Sequence, residues 1–180
     1  MRQLPEILDQ GNTGACVSYA IAGAANFQLA NLKSKDRVDA AQLYEEETGN
    51  GGNTISDILA KCQIKGIPLV SGNILKLTSY RKLLPGSLNA INELMKGLPL
   101  VFTYQIGAGV GLYATPPDFT MQPSLLTHGM VLCDYENQTK RFYCANSWGN
   151  QWAKDGYFYM NGMDIRLPFC VELYTFTVSL

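Results

Sequence analysis

The feature that most constrains this chain is a long stretch with no polar face. From Val17 to about Lys33 there is no proline, and Gly23 is the only glycine. Val17, Ala20, Ile21, Ala24 and Phe27 mark one apolar face, and Ala25, Leu29 and Leu32 mark a second. A helix that is apolar on nearly every side cannot lie on a surface; it has to be central, with the rest of the chain packed around it. Apolar residues make up 47% of the 180-residue chain and charged residues 16%, enough to bury such a helix and to exclude disorder.

The remaining elements follow from pattern. A second helix is predicted from Asp39, where Asp39-Ala-Ala-Gln42 has the spacing of a capping box. A third is predicted over 54–65, with Ile55, Ile58, Leu59 and Cys62 inward and Gly66 as its stop. Ser87 is expected to cap a fourth that ends at Gly97 and turns Leu88, Ile91, Leu94 and Met95 inward. Beyond Gly97 the texture becomes β-branched and aromatic. Strands are predicted over 100–106, 128–135, 141–148, 156–160 and 171–178, with a hairpin turn at 136–140. Helices followed by antiparallel strands make an α+β fold.

Fourteen basic and fifteen acidic residues leave a net charge of −1, which gives no footprint for nucleic acid or an anionic membrane. No apolar run reaches the length of a membrane span. The start, Met1-Arg2-Gln3-Leu4-Pro5-Glu6, lacks the basic-then-apolar plan of a signal peptide. Five cysteines, an odd number with no C-x-x-C spacing, predict neither a zinc knuckle nor a complete disulfide framework. Cys62, Cys133 and Cys144 fall on apolar faces and are expected in the core, while Cys170, after Pro168-Phe169, is expected to be exposed. Without structural disulfides, a reducing intracellular compartment is favoured. No metal site, cofactor or macromolecular partner other than a substrate is expected, and the chain is read as a monomer.

Chemistry enters at Asp9-Gln10-Gly11-Asn12-Thr13-Gly14-Ala15-Cys16. A cysteine in the first turn of a helix faces open backbone N–H groups and the positive end of the dipole, and both favour thiolate. Gln10 can fold back as a side-chain donor and, with the Cys16 N–H, form a two-donor oxyanion site. Taken alone, Cys16 is equally well read as a buried core thiol. The sole histidine, His128, opens one strand of the predicted hairpin, and Asn146 closes the other, so pairing returns residue 146 near residue 128. An Asn carbonyl there orients the imidazole and leaves its other nitrogen for a thiol. Trp148 covers that hydrogen bond. A lone histidine at a strand start is usually structural; the combination with Cys16 and Asn146 is far more specific.

Gln10-Gly11-x-x-Gly14-Ala15-Cys16, His128-Gly129 and Asn146-Ser147-Trp148-Gly149 resemble, in order, the signature blocks of the papain-like cysteine peptidases. Asn50-Gly51-Gly52, Lys65-Gly66-Ile67-Pro68, Gly97-Leu98-Pro99-Leu100-Val101 and Trp152 with Gly156-Tyr157-Phe158 resemble intervening segments, so the likeness covers nearly the whole chain. It implies a single two-lobed domain over 1–180, with a helical lobe at about 10–84, a β lobe at about 85–180 plus 1–9, and an active site in the cleft between them. It further implies Cys16 as nucleophile, His128 as base and acid, Asn146 as orienter, Gln10 as oxyanion donor and Trp148 as support. Gly51 and Gly52 would present backbone to an extended peptide or protein substrate. A thiolate–imidazolium pair is expected between Cys16 and His128. The pattern departs from the family at Val17, usually aromatic, at Thr13 and Gly49, where a disulfide often stands, and at Thr127 and Asp134. The expected activity is peptide hydrolysis through a thioester, in endo or exo mode. Other acyl transfers on the same site (amidase, ligase, isopeptidase) and a catalytically silent peptide-binding domain are the alternatives. Thr54, Leu126 and Thr127 are expected to help read a substrate side chain.

Overall fold

The computed structural model describes residues 4, 6–47, 53–106, 126–161, 165–166 and 168–180. The central helix α1 runs Cys16–Asn31, with Val17, Ser18 and the whole run from Ala20 to Leu29 buried. Its two buried amide residues are used inside the fold. Gln28 plugs into the last strand, donating from Nε2 to the Phe176 carbonyl at 2.9 Å and accepting from the Val178 N–H at 3.2 Å. Asn26 Oδ1 accepts the Val38 N–H at 2.8 Å. The apolar stripe stops short of its expected end, because Leu32 lies past the helix and is exposed.

Helices α2 (Ala40–Glu47) and α3 (Ile55–Lys65) pack beside it. Asp39 caps α2 by accepting the Gln42 N–H at 2.9 Å, and Thr54 Oγ1 caps α3 by accepting the Asp57 N–H at 3.1 Å. Gly66 ends α3 at φ +82°, a backbone state that side chains disfavour. Helix α4 (Ser87–Met95) differs from its predicted face. Gly86, not Ser87, holds the cap position, and Leu88 and Met95 point outward at 75% and 76% exposure. The helix is rolled so that Ala90, Leu94 and the charged Glu93 are buried. Burial pushes the Glu93 pKa up, but hydrogen bonds from Lys96 (2.8 Å) and Arg81 (2.7 Å) outweigh it and hold it below the usual carboxylate range. An ion-paired glutamate facing inward is what periodicity of apolar residues alone misses.

The strands are β1 (Ile67–Pro68), β2 (Ile74–Lys82), β3 (Leu100–Ile106), β4 (Leu126–Glu136), β5 (Arg141–Ala145), β6 (Tyr157–Asn161) and β7 (Cys170–Ser179). All pairings are antiparallel, in the order β1-β2-β7-β3-β4-β5-β6. Two strands thus precede Gly97, where the texture reads as helical; β2 joins the sheet through β7, so the change at Gly97 is not a change from helix to sheet. One core fills the space between α1, α2, α3 and one sheet face, including Ile21, Leu43, Ile58, Val101, Val131 and Phe176. A second lies on the other face with α4, including Leu94, Phe102, Tyr104, Phe142 and Leu173.

None of the five cysteines is in a disulfide, and only Cys16 is not fully buried. Cys170, expected at the surface, is wholly buried in the second core. Burial pushes Cys133 and Cys170 up to about 12 and Cys144 well above its usual range. A thiol whose folded pKa is raised contributes stability that is complete below its unfolded pKa, an ordinary 9.0, and is lost as pH rises toward the folded value. The urea midpoint should therefore fall progressively between pH 9 and 12. A midpoint unchanged across that window would contradict the burial of these thiols.

Candidate active site

The segment before α1 is a tight turn closed by its own polar groups. Asp9 Oδ1 accepts the Gly11 N–H at 2.9 Å, Thr13 Oγ1 donates to the Gln10 carbonyl at 2.7 Å, and Gln10 Nε2 donates to the Thr13 carbonyl at 2.8 Å. Gly11 sits at φ +58°. The turn delivers the chain to Cys16, the first residue of α1. Ala15 holds the cap position and supplies no side-chain cap, so the first N–H groups of the helix are left for other acceptors.

The opposite wall is β4. Gly129 lies flush against the start of α1: a Cβ built on it would come within 2.9 Å of the Cys16 carbonyl oxygen and 3.0 Å of Val17 Cα. Only glycine permits that approach, and it sets His128, the preceding residue, beside the helix start. His128 Nε2 meets Asn146 Oδ1 at 2.7 Å. Because an amide oxygen only accepts, Nε2 carries the proton and Nδ1 is left as an acceptor. The same Asn146 oxygen accepts the Ser147 N–H at 2.8 Å, which fixes the amide. The imidazole stacks on Trp148 with centroids 4.7 Å apart and planes at 29°. Trp148 meets Trp152 edge-on at 5.3 Å, and Trp152 meets Phe158 at 5.5 Å, so the ring is anchored through an aromatic ladder into the second core.

Gln10 is drawn into this arrangement from the other direction. Its backbone N–H donates to the Ser147 carbonyl at 2.9 Å, and its Oε1 accepts from Ser147 Oγ at 2.6 Å. The adjoining stretch is stitched as well, through an Asp9–Trp148 bridge and a Gly149 N–H to Leu8 carbonyl bond of 3.2 Å. Cys16, His128, Asn146, Gln10 and Trp148 are thus gathered where α1 meets β4 and the segment after β5. Gly51 and Gly52 lie outside the described residues.

Burial acts against both charges of the expected ion pair. It pushes the Cys16 thiol up, against the pull of the Gly129, Val17 and Cys16 backbone N–H groups. It pushes His128 down, against the hydrogen bond that the imidazole donates to Asn146. Charge separation therefore depends on the attraction between the two groups outweighing their surroundings. One consequence is measurable. The acid limb of any reaction that uses His128 should have its midpoint below 6.5. Asn146→Ala, which removes the group that raises the imidazole, should move that limb lower still. A limb at or above 6.5, or one that Asn146→Ala moves upward, would contradict this environment.

A cleft of about 870 Å³ opens at the thiol, lined among others by Gly14, Cys16, Tyr44, Thr54, Thr127 and Glu172. Thr54 and Thr127 thus reach it, while the Leu126 side chain is outside what is described. Three residues in or beside the site were not singled out by sequence reasoning. Ser147 lay inside a recognised block without a role, and its partner Gln10 is 137 positions away. Tyr44 and Glu172 come from α2 and β7, and no local pattern ties either to Cys16.

A family model described as "Papain family cysteine protease" matches residues 44–166. Among solved structures, xylellain, a cysteine protease from Xylella fastidiosa, aligns at a TM-score of 0.84 and 18% identity over 97% of this chain and 83% of its own. A digestive procathepsin L2 proteinase from Tenebrio molitor larval midgut aligns at 0.77 and 18%, over 97% and 64%. The Amb a 11 cysteine protease of ragweed pollen, in its proform, aligns at 0.77 and 16%, over 96% and 61%. The chain therefore spans under two thirds of the two proforms. At these identities the structures establish the fold, a papain-like α+β arrangement. The family follows from the sequence model, which covers most of the chain: this protein belongs to the papain family of cysteine proteases.

Proposed function

We propose that the chain is a cysteine peptidase that cleaves peptide bonds through a thioester acyl-enzyme. The observation that carries this reading is the 2.7 Å contact between His128 Nε2 and Asn146 Oδ1 on a strand whose Gly129 abuts Cys16. In the reaction, Nδ1 of His128 takes the Sγ proton as sulfur attacks the substrate carbonyl carbon. The carbonyl oxygen becomes an oxyanion, held by the Cys16 N–H and the remaining Nε2–H of Gln10. Collapse breaks the C–N bond, the imidazolium protonates the leaving amine, and the acyl group stays on sulfur. Water, deprotonated by His128, then hydrolyses the thioester and restores the thiol.

Ser147 keeps the Gln10 oxygen occupied, so the amide nitrogen is the end directed away from it. Gln10→Ala should lower kcat by about 10²–10³, the usual cost of one oxyanion donor, with little change in KM. A change confined to KM would assign Gln10 to ground-state binding instead.

Turnover of an unbiased peptide library by the reduced chain, with and without a thiol-directed inhibitor, tests the reading. Inhibitor-sensitive cleavage at defined bonds is expected. Transfer to amine acceptors without hydrolysis would make the chain a ligase, and binding without turnover would leave a silent peptide-binding domain; either result sinks the peptidase reading.

A further inference from the structure

A second cavity, of about 280 Å³, opens where α1 meets the segment leading into α2, and it shares no lining residue with the catalytic cleft. Asp9, Tyr19, Asn26, Arg37, Asp39 and Val70 are among its walls. Asn26 is the most buried polar residue of these, at 8% exposure. Its Oδ1 is spent on the Val38 N–H at 2.8 Å, which fixes the amide, and its Nδ2 is buried with no partner. An unmatched buried donor is costly, and an acceptor seated in the cavity relieves it. Two carboxylates stand in the same walls. Asp39 is half-buried and Asp9 exposed, and each spends one oxygen on a backbone N–H at 2.9 Å, that of Gln42 and that of Gly11. Both act on Tyr19: burial first, then the charges of Asp39 and Asp9, hold its phenol above the usual range. Tyr19 and Asn26 lie on one face of α1, two turns or about 10 Å apart along its axis. The cavity therefore joins negative charge to one unsatisfied donor.

That combination selects its ligand. An anion is repelled by Asp9 and Asp39, and the lining cation Arg37 is already paired with Glu6. A metal ion wants oxygen donors around it, whereas Asn26 Nδ2 presents hydrogens. What matches is an organic ammonium that carries a hydrogen-bond acceptor. We propose that this cavity is a second binding site, separate from the cleft, that takes a free peptide amino terminus: the ammonium on Asp39 and Asp9, and a backbone carbonyl oxygen on Asn26 Nδ2. The terminal nitrogen and the first two carbonyls of an extended peptide lie within about 7 Å of one another. The cavity has the space of about nine waters, room for two small residues, and the exposed Val70 offers their side chains an apolar contact. Asp9 also holds the Gly11 N–H in the turn that carries Gln10, so the occupant sits against the residue beside the oxyanion donor.

The side-chain amide signals of Asn26, followed by nuclear magnetic resonance of the ¹⁵N-labelled full chain, test this. The titrations use the Cys16→Ala background, where no turnover of the probe is expected. Ala-Ala-amide should shift those signals saturably, at about millimolar concentration. N-acetyl-Ala-Ala-amide lacks the ammonium and propylamine lacks the acceptor, and each should bind about 10-fold more weakly or worse. Asp39→Asn keeps the cap on α2, since asparagine also accepts the Gln42 N–H, yet it should weaken Ala-Ala-amide about 10-fold. Equal affinity for the three probes, or for Asp39→Asn and its parent, overturns the proposal. So does an Asn26 signal that Ala-Ala-amide leaves unmoved; shifts confined to Gly129 and Thr54 would then place that probe in the cleft.

Discussion

Cys16→Ala should bring peptide turnover down to background while the folded chain still binds peptide in its cleft. No other thiol can stand in: the remaining four are fully buried and their pKa values are raised by that burial wherever a shift is resolved. His128→Ala should cost about 10⁴-fold or more, because general acid–base transfer alone contributes about 10²–10⁴ and nucleophile activation is lost with it. The chain contains no second imidazole. Asn146→Ala should cost clearly less, since it frees the ring without removing the base. Initial rates on one good peptide, with melting temperatures for each variant, check the ordering. Residual turnover in Cys16→Ala within a hundredfold of wild type would place the nucleophile elsewhere. Equal severity of Asn146→Ala and His128→Ala in folded protein would dissolve the distinction between base and orienter.

The largest effect on stability is expected at Gly129. A methyl group there would meet the Cys16 carbonyl oxygen at 2.9 Å, its carbonyl carbon at 3.0 Å and Val17 Cα at 3.0 Å, all backbone atoms of the first turn of α1. No side-chain rotation relieves those contacts, so β4 and α1 have to separate. Overpacking of this kind costs about 1–3 kcal/mol, or about 2–12 °C in Tm for a domain of this size. Because His128 moves with the strand, kcat/KM should fall about 100-fold as well, the usual result of displacing catalytic groups by an ångström. Gly129→Val should be worse than Gly129→Ala. Gly23→Ala is the control on the same pair of elements. Its Cβ would touch Val131 Cγ2 at an ordinary 3.5 Å, and alanine is the better helix former by about 1 kcal/mol. It should leave Tm unchanged or raised. If the two alanine variants behave alike, the approach of β4 to α1 is not what glycine provides at position 129.

The parts of this fold that sequence made legible are those where local chemistry and global position agree. The helix at Cys16–Asn31 is apolar on all sides because it is central, and its burial needs no further signal. Asp39, Thr54 and Gly66 mark their helix ends because capping is a local hydrogen-bonding matter. The His128–Asn146 contact was legible because a hairpin makes distant residues neighbours by simple register. The failures have the opposite character. The inward face of α4 is set by Glu93 and its partners Arg81 and Lys96, one of them on β2, so counting apolar positions put Leu88 and Met95 on the wrong side. Strand β2 lies at Ile74–Lys82 with only Leu75 and Leu77 fully buried along it, too little alternation to announce a strand. Cys170 follows a proline and yet is covered from the other strands of the sheet. The bond from Ser147 to Gln10 joins residues with no intervening pattern at all.

The stitching of Gln10 to Ser147 has a bearing on the order of synthesis. The thiol at position 16 is made early, but the residues that orient its base and lock its oxyanion donor arrive only at positions 146 and 147. At about 5–20 residues per second, the nascent chain carries Cys16 for about 6–25 seconds before Asn146 and Ser147 exist. During that interval the sulfur has neither an imidazole oriented by Asn146 nor a glutamine locked by Ser147. On the peptidase reading, the capacity to cleave therefore waits until Asn146 and Ser147 have been translated and folded onto His128 and Gln10.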